Sequence, residues 1–422
     1  MKKLAACICF LFMVTASYSQ SGSDKIKVFL DCTQSWLCDF DYVRSEIRLV
    51  DFVRDRFDAD VHVMVNTQNN SSGGTQAQVN FIGQKRFQNL SDTLTYFNEP
   101  TSTEDDQRKR LVQFVKLGLT RFISKTSFAS QLQISFLDNG NKDSNAVAPT
   151  RDPWNYWVFQ FGGNGSMNGS QNYKSKYFNG YFSADRETED WKVNFGFSAN
   201  KELQSFIDDN GESEFTRKDY YTDFQVAKSI NKHWSYGLAS SYNNSLFSNI
   251  RTGLRFRPKV EYSIFPYSEF NNQRIVFQYM IGSVYNNYYD TTIFFKTEEW
   301  QLQHSLNMIT SFTKPWGSIN VGIFYSNYFD DLSKNNLSFN GAVSWRITKG
   351  LNFALWGNYG LIHDQISIRK GNATRDELLV KNRELLSSFQ YNLGVGFSYR
   401  FGSILNNIVN PRFKGLSYSI TL

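Results

Sequence analysis

Few side chains in this sequence are spaced to do chemistry together. His233-Trp234-Ser235 sets an imidazole and a hydroxyl two residues apart, the spacing at which a β-strand turns both to one face. With an Asn added, such a pair can serve as base and nucleophile for cleaving a lipid ester. The neighbours argue against it: Trp234, Tyr236 and Leu238 form the apolar face, so His233 and Ser235 point away from lipid. We therefore expect no catalytic residue. The other histidines stand apart, and no HxH, HExxH or CxxC pattern offers metal-ligand spacing. No metal and no cofactor are expected. His62 reads as structural, and His304, beside Trp300, Leu302 and Leu306, as interfacial or as a slip in the assumed register.

Two further sets of residues carry weight. Cys32 and Cys38 are the cysteines left once a leader containing Cys7 and Cys9 is removed. In an oxidising compartment, such close spacing reads as a small disulfide loop, with a reduced pair as the alternative. The second set is a basic row, Arg251, Arg255, Arg257 and Lys259, at alternate positions of one strand. Facing a lumen, it would either line an anion-preferring pore or pair with acids such as Glu261 inside a filled barrel. Arg274, Arg346 and Arg400 sit on polar faces elsewhere.

Composition sets the frame for these residues. The chain has 422 residues, 38 Phe, 23 Tyr, 9 Trp and a mean hydropathy of −0.44. Such aromatic content excludes a disordered chain, and the absence of a second long apolar run excludes a helical membrane protein. Lys2-Lys3, an apolar core to Ala16 and small residues before Gln20 read as a secretory signal peptide over residues 1–19. Its loss removes two lysines from a formal net charge of +6. The balance is too mild to suggest nucleic acid as a partner.

Residues 25–138 read as a small α/β domain. A short strand at 25–30 precedes Val43, Ile47, Val50, Val53 and Phe57, whose spacing of three and four predicts a helix. Residues 61–66 and 76–82 alternate as a hairpin around the turn cluster at 69–74. Thr103 with Asp106 forms a capping-box pattern before Leu111, Phe114, Val115, Leu119 and Phe122. A strand at 130–137 would close a βαββαβ, ferredoxin-like (α+β) order. The acids and bases of residues 39–44 read as a solvated helix start.

Past a linker at 139–152 the hydrophobic period becomes two and stays two through residues 153–402. Over residues 389–402 every odd position from Phe389 to Phe401 is large and apolar, and every even one is Gly, Ser, Asn, Gln or Arg. Such segments of ten or more residues suit tilted bilayer-crossing strands, and Trp154, Trp191, Trp234, Trp300 and Trp316 collect near segment ends as interfacial girdles do. Twelve segments start near Trp154, Tyr177, Trp191, Tyr220, Trp234, Thr252, Arg274, Trp300, Ser318, Leu337, Leu351 and Phe389. Connections after odd segments are mostly long (200–219, 286–299, 329–336 and 363–387), and those after even segments mostly short. The expected fold is thus mainly β: a small α+β domain ahead of an antiparallel transmembrane β-barrel of about twelve strands. Residues 403–422 break the alternation and read as a tail, or as a final strand that would shift the count.

On CDFDYVR at 38–44, PWNYWVF at 153–159, NNIVNPRF at 406–413 and LGVGFSYRF at 393–401, the chain resembles Bacteroidota-type outer-membrane β-barrel proteins with an N-terminal periplasmic α/β domain. The last motif is similar to a barrel-assembly signal, although twenty-one residues follow it. The resemblance implies an outer-membrane location with the first domain in the periplasm, and no catalytic residues. The leading expectation is a non-enzymatic barrel, solvated by outer-membrane lipid, whose periplasmic domain docks a protein partner in envelope assembly, secretion or anchoring. A small-solute channel is the alternative and an outer-membrane hydrolase the second.

Overall fold

The computed structural model describes residues 25–32, 38–69, 74–99, 101–133, 152–208, 211–371, 384–405 and 412. The signal-peptide reading and most of the tail fall outside these residues.

The first domain holds a five-stranded sheet in the order β2-β1-β3-β4-β5. β1 (Ile26–Cys32) lies parallel to β2 (Val50–Phe52) and to β3 (Val61–Asn69). β4 (Thr75–Gly83) and β5 (Ser91–Asn98) follow antiparallel. Helices α1 (Phe40–Glu46) and α2 (Glu104–Ile123) supply the covering layer. One face of the sheet, carrying Ile26, Val28, Val61, Val63, Val65, Val79 and Phe81, packs with Val43 of α1 and Leu111, Val115, Leu119 and Phe122 of α2.

The α/β class is as expected, but the order of elements differs at three points. The first helix stops at Glu46, because Val50 and Phe52 add to β1 as a strand. Their spacing from Val43 and Ile47 fits a helix by coincidence, and sheet pairing overrides it. β5 was not foreseen; its alternation is weak, with a burial pattern in which only Tyr96 and Asn98 are buried. The closing strand at 130–137 is replaced at its start by a 3-10 turn, Ser127–Gln131, while residues 134–137 lie outside the described residues. Both helix starts behave as read. Asp39 accepts from the Tyr42 amide at 3.0 Å, and Thr103 and Asp106 form the reciprocal capping box.

The second part is a twelve-stranded antiparallel meander, β6 to β17, with each strand paired to its neighbours in sequence. The strands are β6 (Trp157–Gly169), β7 (Tyr173–Glu187), β8 (Trp191–Asp208), β9 (Gly211–Ser229), β10 (Trp234–Ser245), β11 (Ile250–Ser263), β12 (Gln273–Tyr288), β13 (Glu298–Lys314), β14 (Gly317–Tyr328), β15 (Asn335–Thr348), β16 (Leu351–Ile362) and β17 (Phe389–Tyr399). Each is long enough to cross a bilayer. Among the described residues, β6 and β17 stand as the two edges.

Burial along β11 is inverted relative to a water-soluble protein. Leu254 and Phe256 are 44% and 51% exposed, while Arg255, Arg257, Lys259 and Glu261 on the other face are half-buried. An apolar outward face and a polar inward one are what a barrel solvated by lipid requires. Trp191, Trp234 and Trp345 stand exposed near the short-turn end, and Trp300 near the other.

One loop expected to be long is a hairpin. Residues 200–219 continue β8 and β9 in register from Asn200↔Asp219 to Asp208↔Gly211. The hairpin's few apolar residues, Leu203, Phe206, Ile207 and Phe215, form no continuous apolar face, and Arg217 pairs with Glu202 and Asp219 at 3.0 and 2.9 Å. A search for apolar alternation passes over strands that project into water.

Candidate functional site

The most densely built polar site lies where the first domain meets the barrel. Its sheet has two faces, and the one away from the helices carries Phe29, Asp31, His62, Met64 and Asn66. This face lies against the short-turn end. Arg346, near the end of β15, forms a bidentate pair with Asp31 at 2.5 and 2.6 Å, its guanidinium 5.4 Å from the Phe29 ring centroid. The Nε2 of fully buried His62 lies 3.2 Å from the same carboxylate.

Burial opposes ionisation of Asp31. The hydrogen bonds from His62 and Arg346, with their charge, outweigh it and hold the carboxyl down at about 2. Around this centre Lys349 pairs with Asp58 at 2.6 Å, the Gly350 amide donates to Asp55 at 2.6 Å, and Asn66 donates to Asn272 at 2.7 Å. The chain leaving β17 joins in as well. Leu405 bridges Val53 at the edge of β2, and the Arg54 amide donates to the Ile404 carbonyl at 3.1 Å.

Behind the domain the lumen widens into a cavity of 640 Å³, reached by Gln68 from β3 and lined by Arg257, Lys259, Glu261, Gln278 and Tyr267. Glu261 accepts from Tyr267 at 3.1 Å and from Gln278 at 2.7 Å. Burial, opposed by the Ser235 hydrogen bond and reinforced by Glu261, pushes the Tyr267 phenol up to about 12, so it stays a donor at neutral pH. Charges two residues apart on a strand lie about 7 Å from each other. Two cations there repel by about 2 kcal/mol at an effective dielectric constant of about 20.

Three residues of the basic row share one face of β11. Arg255, Arg257 and Lys259 face inward together, and Arg255 donates to Asn243 at 2.6 Å. Arg251 departs from it. A β-bulge between Ile250 and Thr252 breaks the alternation, and the exposed Arg251 stacks on Tyr289 at 5.3 Å. Arg346, assigned to a polar face without a partner, belongs to the junction. Arg274 and Arg400 line two smaller cavities along that junction, of 390 and 420 Å³.

At the other end of the barrel, residues 366–368 after β16 contact the neighbouring connections. Asn249 donates to the Ser367 carbonyl at 2.9 Å, the Ile293 amide to Ile368 at 2.8 Å, and Ile366 packs with Val284 and Tyr328.

The remaining candidates separate. His233 Nδ1 contacts the Ser263 carbonyl at 2.9 Å while Ser235 contacts Tyr267 at 2.7 Å, so each of the two is engaged elsewhere. His304 lies on the outward side within an aromatic group, 4.7 Å from Phe329 and 5.8 Å from Tyr279 between ring centroids. Cys32 and Cys38 are joined as a disulfide, with Cα atoms 6.4 Å apart. Among the described residues no cluster of three metal-ligating side chains occurs. Sequence reasoning missed the Asp31–His62–Arg346 group, whose members lie 31 and 315 positions apart. The one local signal was Asp31, an acid directly after the apolar run Val28-Phe29-Leu30.

No family model matches the chain, and no curated protein matches it. Among solved structures it is similar to the CymD monoaromatic hydrocarbon channel, at 8% identity and a TM-score of 0.29 over 59% of this chain and 80% of that one. It is similar to the NanC porin at 11% identity and a TM-score of 0.27, over 57% of this chain and 99% of that one. The β domain of the Bordetella autotransporter BrkA gives 10% and 0.25, over 58% and 98%.

Proposed function

We propose that this chain is an outer-membrane β-barrel protein whose N-terminal domain sits in the periplasm as a seal on its own barrel, gating passage of small polar solutes. The observation that carries the reading is the seat itself. The second face of the domain sheet is committed to the barrel through Asp31–Arg346 and Asn66–Asn272, and the 3-10 turn before β3 through Asp58–Lys349. A sheet face used this way covers the mouth of a lumen that is polar inside. An outward apolar band supports the membrane setting, and four of the five turns on the domain side are short, as periplasmic turns are, although the β6–β7 and β8–β9 turns are equally tight at the other end.

Purified protein in planar bilayers is expected to conduct little, and Asp31→Asn combined with Asp58→Asn to raise the frequency of open events. Conductance identical in both proteins would remove the gating reading.

Partner docking is a second reading, favoured by what the barrel leaves free. α2 and β5 lie on the side of the domain away from these contacts, and Leu117 on α2 is 55% exposed. Under it, affinity purification from the native envelope recovers a stoichiometric partner that Leu117→Asp loses. A lone barrel, or recovery unaffected by the substitution, counts against it. Neither reading assigns a catalytic residue.

A further inference from the structure

We propose that the cavity behind the domain binds a small soluble oxyanion, carboxylate- or phosphate-bearing, between Arg257 and Lys259. The proposal rests on the reading of the lumen as a solute space and names the class of solute that it holds.

Four observations converge. Arg255, Arg257 and Lys259 face inward in succession, and among the described residues none of the three forms an ion pair. Cations in a half-buried setting are ordinarily paired, because desolvation without a counter-charge is unfavourable. The Nε of Arg257 is buried with no hydrogen-bond partner, while Arg255 already uses its guanidinium on Asn243.

Next, the nearest acid forms no direct ion pair with the row. Glu261, the following inward residue, is held by Tyr267 and Gln278. The other carboxylates lining the cavity, Glu187, Glu189 and Asp190, stand at the end of β7 and in the turn to β8, where Glu187 pairs with Lys192 at 3.5 Å.

Third, the flanking strands present small residues. β10 sets Gly237 and Ala239 opposite Lys259 and Arg257. On the β12 side stands Gly282, where a Cβ would fall 1.9 Å from the Phe256 carbonyl oxygen, so the close approach of β11 and β12 beside Arg257 requires a glycine. Pro258, lacking an N–H, also interrupts the recorded ladder with β12 beside Arg257.

Last, the chemistry selects the source. The cations face away from the apolar outer surface, so a lipid headgroup does not reach them, and a solute entering the 640 Å³ cavity does. Arg257 offers a planar fork and Lys259 a point charge, a combination suited to a carboxylate or phosphate oxygen set.

The test is calorimetric titration of the full-length protein in neutral detergent with inorganic phosphate, with gluconate and with uncharged glucose. Saturable one-to-one binding of at least one anion and none of glucose is expected. Arg257→Gln with Lys259→Gln should weaken it by roughly tenfold or more, while Lys174→Gln, at an exposed position, leaves it unchanged. Heat-shifted migration in gels verifies that each barrel is folded; if the double variant fails that check, Lys259→Gln alone carries the same expectation at reduced size. Absence of saturable binding to the parent protein, or equal affinity in the folded variant, overturns the site. Calorimetry reads binding without conduction, so a silent barrel that binds and a conducting one that does not are told apart.

Discussion

Asp31 concentrates the energetics of the junction in one carboxylate, shared by His62 from its own domain and Arg346 from the barrel. Removing either member of the Asp31–Arg346 pair leaves the other desolvated without a counter-charge, a loss of about 3–5 kcal/mol for a buried pair and less here, where both keep some exposure. Asp31→Asn and Arg346→Gln should each speed proteolysis of the junction, and the double variant should cost little more than either single one. Additive effects would show that the two do not act as a unit. Acid gives an independent handle. With its pKa lowered from 3.8 to about 2, Asp31 contributes stability that is fully present above about pH 4 and is lost as pH falls toward 2. At 1.36 kcal/mol per unit the contribution is about 2 kcal/mol. Hydrogen exchange at β1 and β15 should rise together over that window in the parent protein, and the Asp31→Asn protein should lack this component.

At the scale of elements, α2 and the sheet show how closely the first domain is packed. Gly118 sits on α2 where a Cβ would fall 2.0 Å from the Phe81 ring, and Phe81 is fully buried. Gly118→Ala would gain about 1 kcal/mol of helix propensity. Overpacking a ring that has no free volume costs about 1–3 kcal/mol, so the substitution should lower the melting temperature of the domain; an increase would mean that Phe81 can swing aside. The capping box at Thr103 is a gentler probe. Thr103→Ala should cost about 1 kcal/mol, read in the same melting experiment, and an unchanged melting temperature would mean that the helix start does not limit the unfolding of the domain.

For the whole molecule, the two faces of a barrel strand make opposite demands of neighbouring residues. Phe256 faces outward and Arg257 inward. Phe256→Arg places a charge against hydrocarbon and should cost about 2–4 kcal/mol near the bilayer midplane. Arg257→Gln should cost far less, because it keeps a polar side chain on the inward face and removes a charge that has no ion-pair partner there. Urea titration of folding into vesicles measures both, and equal costs would contradict the assignment of faces. The first domain contacts one end of the barrel through Arg346, and Ile366 packs on Val284 and Tyr328 at the other.

Period-two alternation by itself determined the class of fold, the count of twelve strands and even the starts of β8, β10, β16 and β17 at Trp191, Trp234, Leu351 and Phe389. Lipid and lumen impose their preferences residue by residue, so the pattern is local and readable. The common face of Arg255, Arg257 and Lys259 follows from the same alternation, whereas Arg251 lies at a bulge, which resets parity without any residue type to announce it. In the first domain the spacing of Val43, Ile47 and Val50 served helix and strand equally, and only pairing with Ile26 decided between them. The Asp31–His62–Arg346 junction was settled by tertiary structure alone. An ion pair spanning 315 residues leaves no periodic trace, and which polar face meets which turn depends on how two separately folded units are set together.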